Sequence, residues 1–139
     1  MRVITKKIEL KTKGNPDLIN ITPILKQTLE VSGLREGSLT VFVSGSTAAV
    51  TTFEYEPGLI RDMQEIYEKI ASSSKHYHHD DTWGDANGFS HIRSALQGPS
   101  LTIPFEKGTL LLGTWQQVVL AEFDNHPRKR EIVLQMMGE

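Results

Sequence analysis

Four of the five histidines of this chain, His76, His78, His79 and His91, fall within sixteen residues, and Asp80, Asp81 and Asp85 lie among them. Imidazole titrates near neutral pH and so suits proton transfer. Histidine with aspartate is also the usual ligand set for Mg²⁺ or Zn²⁺ where thiolate is missing, and this chain has no cysteine. No spacing in the segment matches a standard zinc motif such as H-E-x-x-H. His79 and His91 are the favoured site histidines, whereas His76 and His78 read as exposed loop residues. Asp81 and Asp85 are candidate metal ligands that could instead close Asx-turns or cap helices. Asn87 precedes glycine, so a polar site role competes with a simple turn.

Two further clusters have the right chemistry. Gly45-Ser46-Thr47 follows a β-forming run, and backbone N–H groups in such a turn can form a nest for phosphate, although the long spacing and lysine of a P-loop are missing. Thr114-Trp115-Gln116-Gln117 sits inside a strongly β-forming stretch. Trp115 there is either core or a stacking platform, and a buried Gln116 would need a hydrogen-bond partner. Glu122 and Asp124 end the same stretch and could reach a site at its mouth. The basic run Arg128-Lys129-Arg130 reads as a solvated turn, with anion binding as its minority role.

The elements that must position these groups follow from periodicity. Residues 2–10 are β-branched with interleaved lysines, which predicts a strand with one wet face. Thr22-Pro23 marks a helix start, with the threonine hydroxyl as cap, and Gly33 an end. Residues 38–44 and 48–53 read as strands. Leu59, Met63, Ile66, Tyr67 and Ile70 form the apolar stripe of a second helix. Residues 72–89 show no period, and so long a loop in a compact domain is often functional. His91 to Leu96 could form a short helix. Strands are predicted at 101–105, 109–123 (bent at Gly113) and 131–137. The fold class is α+β: six to eight mostly antiparallel strands, as a sheet or sandwich, with two main helices.

With 139 residues and a formal charge of −2, residues 1–139 are expected to make a single domain. No basic stripe suits nucleic acid, and no apolar run suits a membrane span. The N-terminal segment lacks the apolar core of a secretory leader, so a cytoplasmic location is expected.

The run from His79 to His91, together with Leu96-Gln97-Gly98-Pro99-Ser100-Leu101-Thr102-Ile103-Pro104-Phe105 and Leu112-Gly113-Thr114-Trp115-Gln116-Gln117, resembles the signature of the YjbQ-like family. Glu122-Phe123-Asp124 with Pro127-Arg128 continues the likeness. Members carry the name secondary thiamine-phosphate synthase enzyme. The resemblance implies an α+β fold, a homotrimer and a site near subunit boundaries that acts on phosphorylated small molecules. It also implies a metal or anion in that site.

The family's polar motif positions fall here on His79, Asp81, Asp85, Asn87, His91, Trp115 and Gln116. Many members have His-Thr-Thr where this chain has Gly45-Ser46-Thr47, and His-Ser-His where it has Phe89-Ser90-His91; the version here resembles the archaeal branch. A metal in this chain would therefore need carboxylates beside His79 and His91. On the transferase reading, Asp81 and Asp85 would hold Mg²⁺, Gly45-Ser46-Thr47 a phosphate, and Trp115 a ring, with His79 or His91 as acid or base. The alternatives are a metal-dependent phosphoester hydrolase and a non-catalytic trimer that binds a phosphorylated metabolite.

Overall fold

The structure, a computed structural model, describes residues 1–139. Eight strands form two antiparallel sheets and four helices connect or cover them, which bears out the α+β reading. Strands β1 (Arg2–Lys11), β3 (Gly37–Ser44), β5 (Ser100–Glu106), β6 (Thr109–Leu110) and β8 (Lys129–Gly138) make one sheet, in the order β1-β8-β3-β5-β6. Strands β2 (Asp17–Asn20), β7 (Gln116–Glu122) and β4 (Ala48–Glu54) make the other, in that order.

The main core fills the space between the sheets. Leu39, Val41 and Val43 of β3 and Ile132, Leu134 and Met136 of β8 alternate inward to meet Val50, Val118 and Leu120, with Leu25 and Leu29 of α1 (Thr22–Ser32) completing it. The opposite face of the small sheet is covered as well: Val119 and Ala121 of β7 pack with Tyr67 of α2 (Pro57–Ile70) and with Phe123. Strand β7 is thus buried on both faces, which is why its centre, Val118-Val119-Leu120-Ala121, is a continuous apolar run.

Several expectations are corrected. Beside the two main helices, α4 spans Gly88–Gln97 and contains the short helix expected at His91 to Leu96, and the segment without a period contains a further helix, α3 (His78–Trp83). Helix α3 is too short to show periodicity and has no buried residue. The long strand predicted at 109–123 is two strands in different sheets, and the chain crosses between them through residues 111–115. Trp115 lies on that crossing, 72% exposed, rather than inside a strand. Thr22 does not cap α1; the Asn20 side chain accepts from the Thr22 N–H at 3.0 Å, and the Thr22 hydroxyl instead accepts from the Val118 N–H at 2.7 Å. The apolar stripe on α2 is only partly used, since Ile66 and Ile70 are exposed. Its start is set by Glu56, whose carboxylate accepts from the N–H groups of Gly58 and Leu59. No helix is long and apolar enough to cross a membrane.

Candidate functional site: an anion-type cleft

A cleft of about 420 Å³ opens where the β3–β4 turn, helix α3, the start of α4 and the beginning of β8 meet. On one side stands the turn Gly45-Ser46-Thr47. None of its three backbone N–H groups donates to any group of the chain. Thr47 is buried and Gly45 and Ser46 are exposed, so these three N–H groups are open to solvent or to an oxyanion bound beside them in the cleft.

Gly45 is needed here for space: a Cβ at this position would lie 2.7 Å from Arg130 Nη1.

The floor is ionic. Glu122, fully buried, accepts from Arg130 Nε at 2.7 Å and Nη2 at 2.5 Å, and from the Thr12 hydroxyl at 2.7 Å. Arg130 Nη2 also donates to Thr47 Oγ1 at 2.6 Å, and the Thr47 hydroxyl donates to Asp124 Oδ2 at 3.1 Å. Asp124, also fully buried, accepts from Arg128 Nε at 2.7 Å. Burial alone would raise the Asp124 carboxyl, but its bonds from Arg128, Asn125 and Thr47 outweigh that and hold it below the usual range. Each arginine therefore has its charge compensated from below. In both, Nη1 makes no hydrogen bond within the chain, and both residues line the cleft.

The far wall comes from the helices. Asp80 fixes it: Oδ2 accepts from the Tyr77 N–H at 2.8 Å and Oδ1 from the Gly88 N–H at 2.9 Å, which ties the start of α3 to the start of α4. These backbone bonds, the Tyr77 one foremost, hold the Asp80 carboxyl below its ordinary value. Gly88 sits tight against the same corner, since a Cβ there would meet Tyr77 Cβ at 2.6 Å. This clamp brings His79 of α3 and His91 of α4 together with ring centroids 4.3 Å apart and planes tilted by 56°. Burial and the neighbouring His79 ring lower the His91 pKa; Asp124, Asp85 and the Ser46 backbone oppose that shift without cancelling it. Asn87, buried at the N-cap of α4, donates through Nδ2 to Asp124 Oδ1 at 3.5 Å, and its Oδ1 has no partner.

Of the residues singled out in the sequence, Gly45, Ser46, Thr47, His79, Asp85, Asn87 and His91 line this one cleft. Three others stand elsewhere. Asp81 Oδ1 pairs with His76 Nε2 at 2.8 Å on the exposed face of α3, one residue out of phase with Asp80. Gln116 lies at the opposite end of β7, paired with Glu54, whereas Glu122 at the cleft is paired with Ala48. Those ends are six residue steps apart along the strand, roughly 20 Å. Gln116 bonds Thr52 at 3.2 Å and Gly113 at 3.0 Å there, with Trp115 beside it in sequence.

The site also contains what the sequence reading undervalued. Arg130 is no solvated turn residue: it is buried and faces inward with Ile132, Leu134 and Met136. That period-2 pattern is present in the sequence and could have revealed it. Trp83, at the lip of the cleft, has no such signal.

The residues present do not make a metal-ligating set. No three His, Asp or Glu side chains gather closely enough to hold an ion. Asp81 is turned away and the Asp124 and Glu122 oxygens are occupied by guanidinium, hydroxyl and N–H donors. The unspent donors there are the N–H groups of the Gly45-Ser46-Thr47 turn and the Nη1 groups of Arg128 and Arg130, which suit an anion, and the Asp85 carboxylate and Asn87 Oδ1 are unspent acceptors beside them.

A two-sheet α+β domain whose donor-rich cleft lies between a Gly-Ser-Thr turn and a histidine pair is thereby defined. The family model described as UPF0047 protein YjbQ-like matches residues 6–139, and the chain belongs to that family. It is 37% identical over 139 residues to a UPF0047 protein of Methanothermobacter thermautotrophicus, covering 100% of this chain and 95% of the relative. To UPF0047 protein YugU of Bacillus subtilis it is 30% identical over 134 residues, covering 96% and 98%. The crystal structure of a YbjQ-like protein from Sulfolobus solfataricus, described as of unknown function, superposes with a TM-score of 0.93 at 30% identity, covering 99% of both chains. A hypothetical protein from Aeropyrum pernix gives 0.91 at 32% identity, covering 98% and 99%.

Proposed function

We propose that the cleft binds the phosphoryl group of a small phosphorylated molecule, and that His79 and His91 move protons on the bound ligand. The observation that carries this reading is the set of unspent donors: the three N–H groups of Gly45, Ser46 and Thr47 and the Nη1 groups of Arg128 and Arg130. Preorganised donors of this kind stabilise charge that develops on a phosphoryl oxygen. In a transfer reaction that expels phosphate or pyrophosphate, a histidine beside them can place a proton on the leaving oxygen. His91 is held below its ordinary pKa in the free chain, chiefly by burial, and an anion bound beside it favours its protonated form.

This keeps a thiamine-phosphate synthase-like transferase as the finer reading, with its Mg²⁺ step unsupported because Asp81 faces away from the cleft. A metal-dependent hydrolase has the same shortfall in ligands. Self-association, as a homotrimer, is favoured by apolar side chains on the outer face of the five-stranded sheet, where Val3 and Met137 are cross-strand partners and Phe42 shares their face.

The test is ligand-induced thermal stabilisation with inorganic pyrophosphate, run beside a turnover assay on wild type and His91→Ala. Binding to the folded state raises stability by RT ln(1 + [L]/Kd). Stabilisation of both proteins with turnover only in wild type supports the catalytic reading. Stabilisation without turnover in either makes the protein a binding module. No stabilisation at millimolar pyrophosphate contradicts the reading.

A further inference from the structure

The cleft has one apolar wall residue, and it is an unusual one. Trp83 is the only hydrophobic side chain among the ten that line it, and its surface is 74% exposed. Other large apolar side chains of this chain are exposed too, but this indole is the one that stands beside the polar donors of the cleft. Trp115 is equally exposed but lies toward the opposite end of β7, away from the donors.

We propose that Trp83 is the platform on which the ligand's ring stacks, so that the cleft takes a phosphorylated aromatic or heteroaromatic compound. The inference rests on the phosphoryl reading of the same cleft and adds the chemistry of the rest of the ligand. Three observations carry it. The backbone beneath the indole is set: Trp83 is the last residue of α3, and Gly84 turns the chain at once in the left-handed region, φ 75°. That helix is tied to α4 by the Asp80 clamp to Gly88, so the Trp83 backbone stands one helical turn after His79 on a fixed element. The space fits too. A cleft of about 420 Å³ is in the small-ligand range and leaves room beside a phosphate for a single ring.

An aromatic face is the group that gains most from such a wall. Ring pairs gain from their quadrupoles in addition to the area they bury, which a saturated ring of the same size does not.

The experiment uses three probes on the full chain: inorganic phosphate, phenyl phosphate and cyclohexyl phosphate. Wild type is expected to bind phenyl phosphate roughly fivefold more tightly than cyclohexyl phosphate. Trp83→Ala removes that preference while its affinity for inorganic phosphate changes by less than about twofold, and Trp83→Phe keeps most of it. In Trp115→Phe protein, the remaining indole fluorescence responds to phenyl phosphate more than to inorganic phosphate. A phenyl preference that survives Trp83→Ala overturns the proposal. So does a Trp83→Ala protein with an altered oligomeric state and an unchanged preference, which would assign the indole to contact between copies. If inorganic phosphate binds without any ring preference, only the Trp83 proposal fails. If none of the three binds, the phosphoryl reading fails with it.

Discussion

Arg130 and Glu122 form a two-pronged ion pair at the base of the cleft, with Nε to Oε2 at 2.7 Å and Nη2 to Oε1 at 2.5 Å, and both side chains are buried. This pair sets the height of the Gly45-Ser46-Thr47 turn, because the same Nη2 reaches Thr47 Oγ1 at 2.6 Å. Cleft geometry and folding stability therefore share residues.

Removing one partner leaves the other charge buried and unpaired. Glu122→Ala should lower the unfolding free energy by about 3–5 kcal/mol in urea denaturation. The double replacement Glu122→Leu/Arg130→Met, which leaves no unpaired charge, should recover much of that loss while phosphate binding stays weak. An equal loss in the single and double variants would show that the pair's charge balance is not what matters.

His91 gives the pH dependence. Its folded pKa lies below the ordinary 6.5, chiefly through burial. The unfolded state then binds more protons between the two values, so stability rises with pH there. The His91 contribution is complete above pH 6.5 and is lost as pH falls through the lower folded value. Wild type should lose stability across that acid window, and His91→Gln should show a flatter profile. An anion in the cleft favours the imidazolium form, so phosphate binding near pH 6 should also take up protons, which calorimetry in buffers of different ionisation enthalpy would detect.

The α3–α4 corner makes a steric prediction. A Cβ on Gly88 would stand 2.6 Å from Tyr77 Cβ and 3.0 Å from Asp80 Oδ1. Gly88→Ala should cost about 1–3 kcal/mol as the corner is overpacked, and should weaken ligand binding by moving His79 relative to His91. Thermal unfolding and phosphate titration of that variant check both effects; a stable variant with unchanged affinity would show that the helices are not clamped here.

The strands with one buried face, β1, β3 and β8, were legible because alternation names the inward residues. The crossing from β6 to β7 was not, since residues 109–123 are β-forming throughout and only Gly113 hints that the chain changes sheets. At the site, residue types pointed to His79 and His91 correctly as neighbours. That Asp80 rather than Asp81 forms the clamp could not be read from the sequence, because α3 is six residues long, too short for periodicity to say which carboxylate faces it. Trp115, core or ring platform by its sequence context, stands on the β6–β7 crossing away from the cleft. Which end of β7 the cleft occupies depends on register with β4, which no local pattern encodes.

The unspent donors of the cleft are expected to bind a phosphoryl anion. Calorimetric titration of inorganic phosphate into wild type, Arg128→Ala and Arg128→Lys tests this, because Arg128 is half exposed, its loss leaves the buried Glu122–Arg130 pair in place, and lysine keeps a positive charge beside the buried Asp124. One phosphate per chain is expected, with affinity about tenfold weaker in the alanine variant, as loss of a charged hydrogen bond implies. No heat of binding to wild type, or equal affinity in wild type and the alanine variant, would contradict the account.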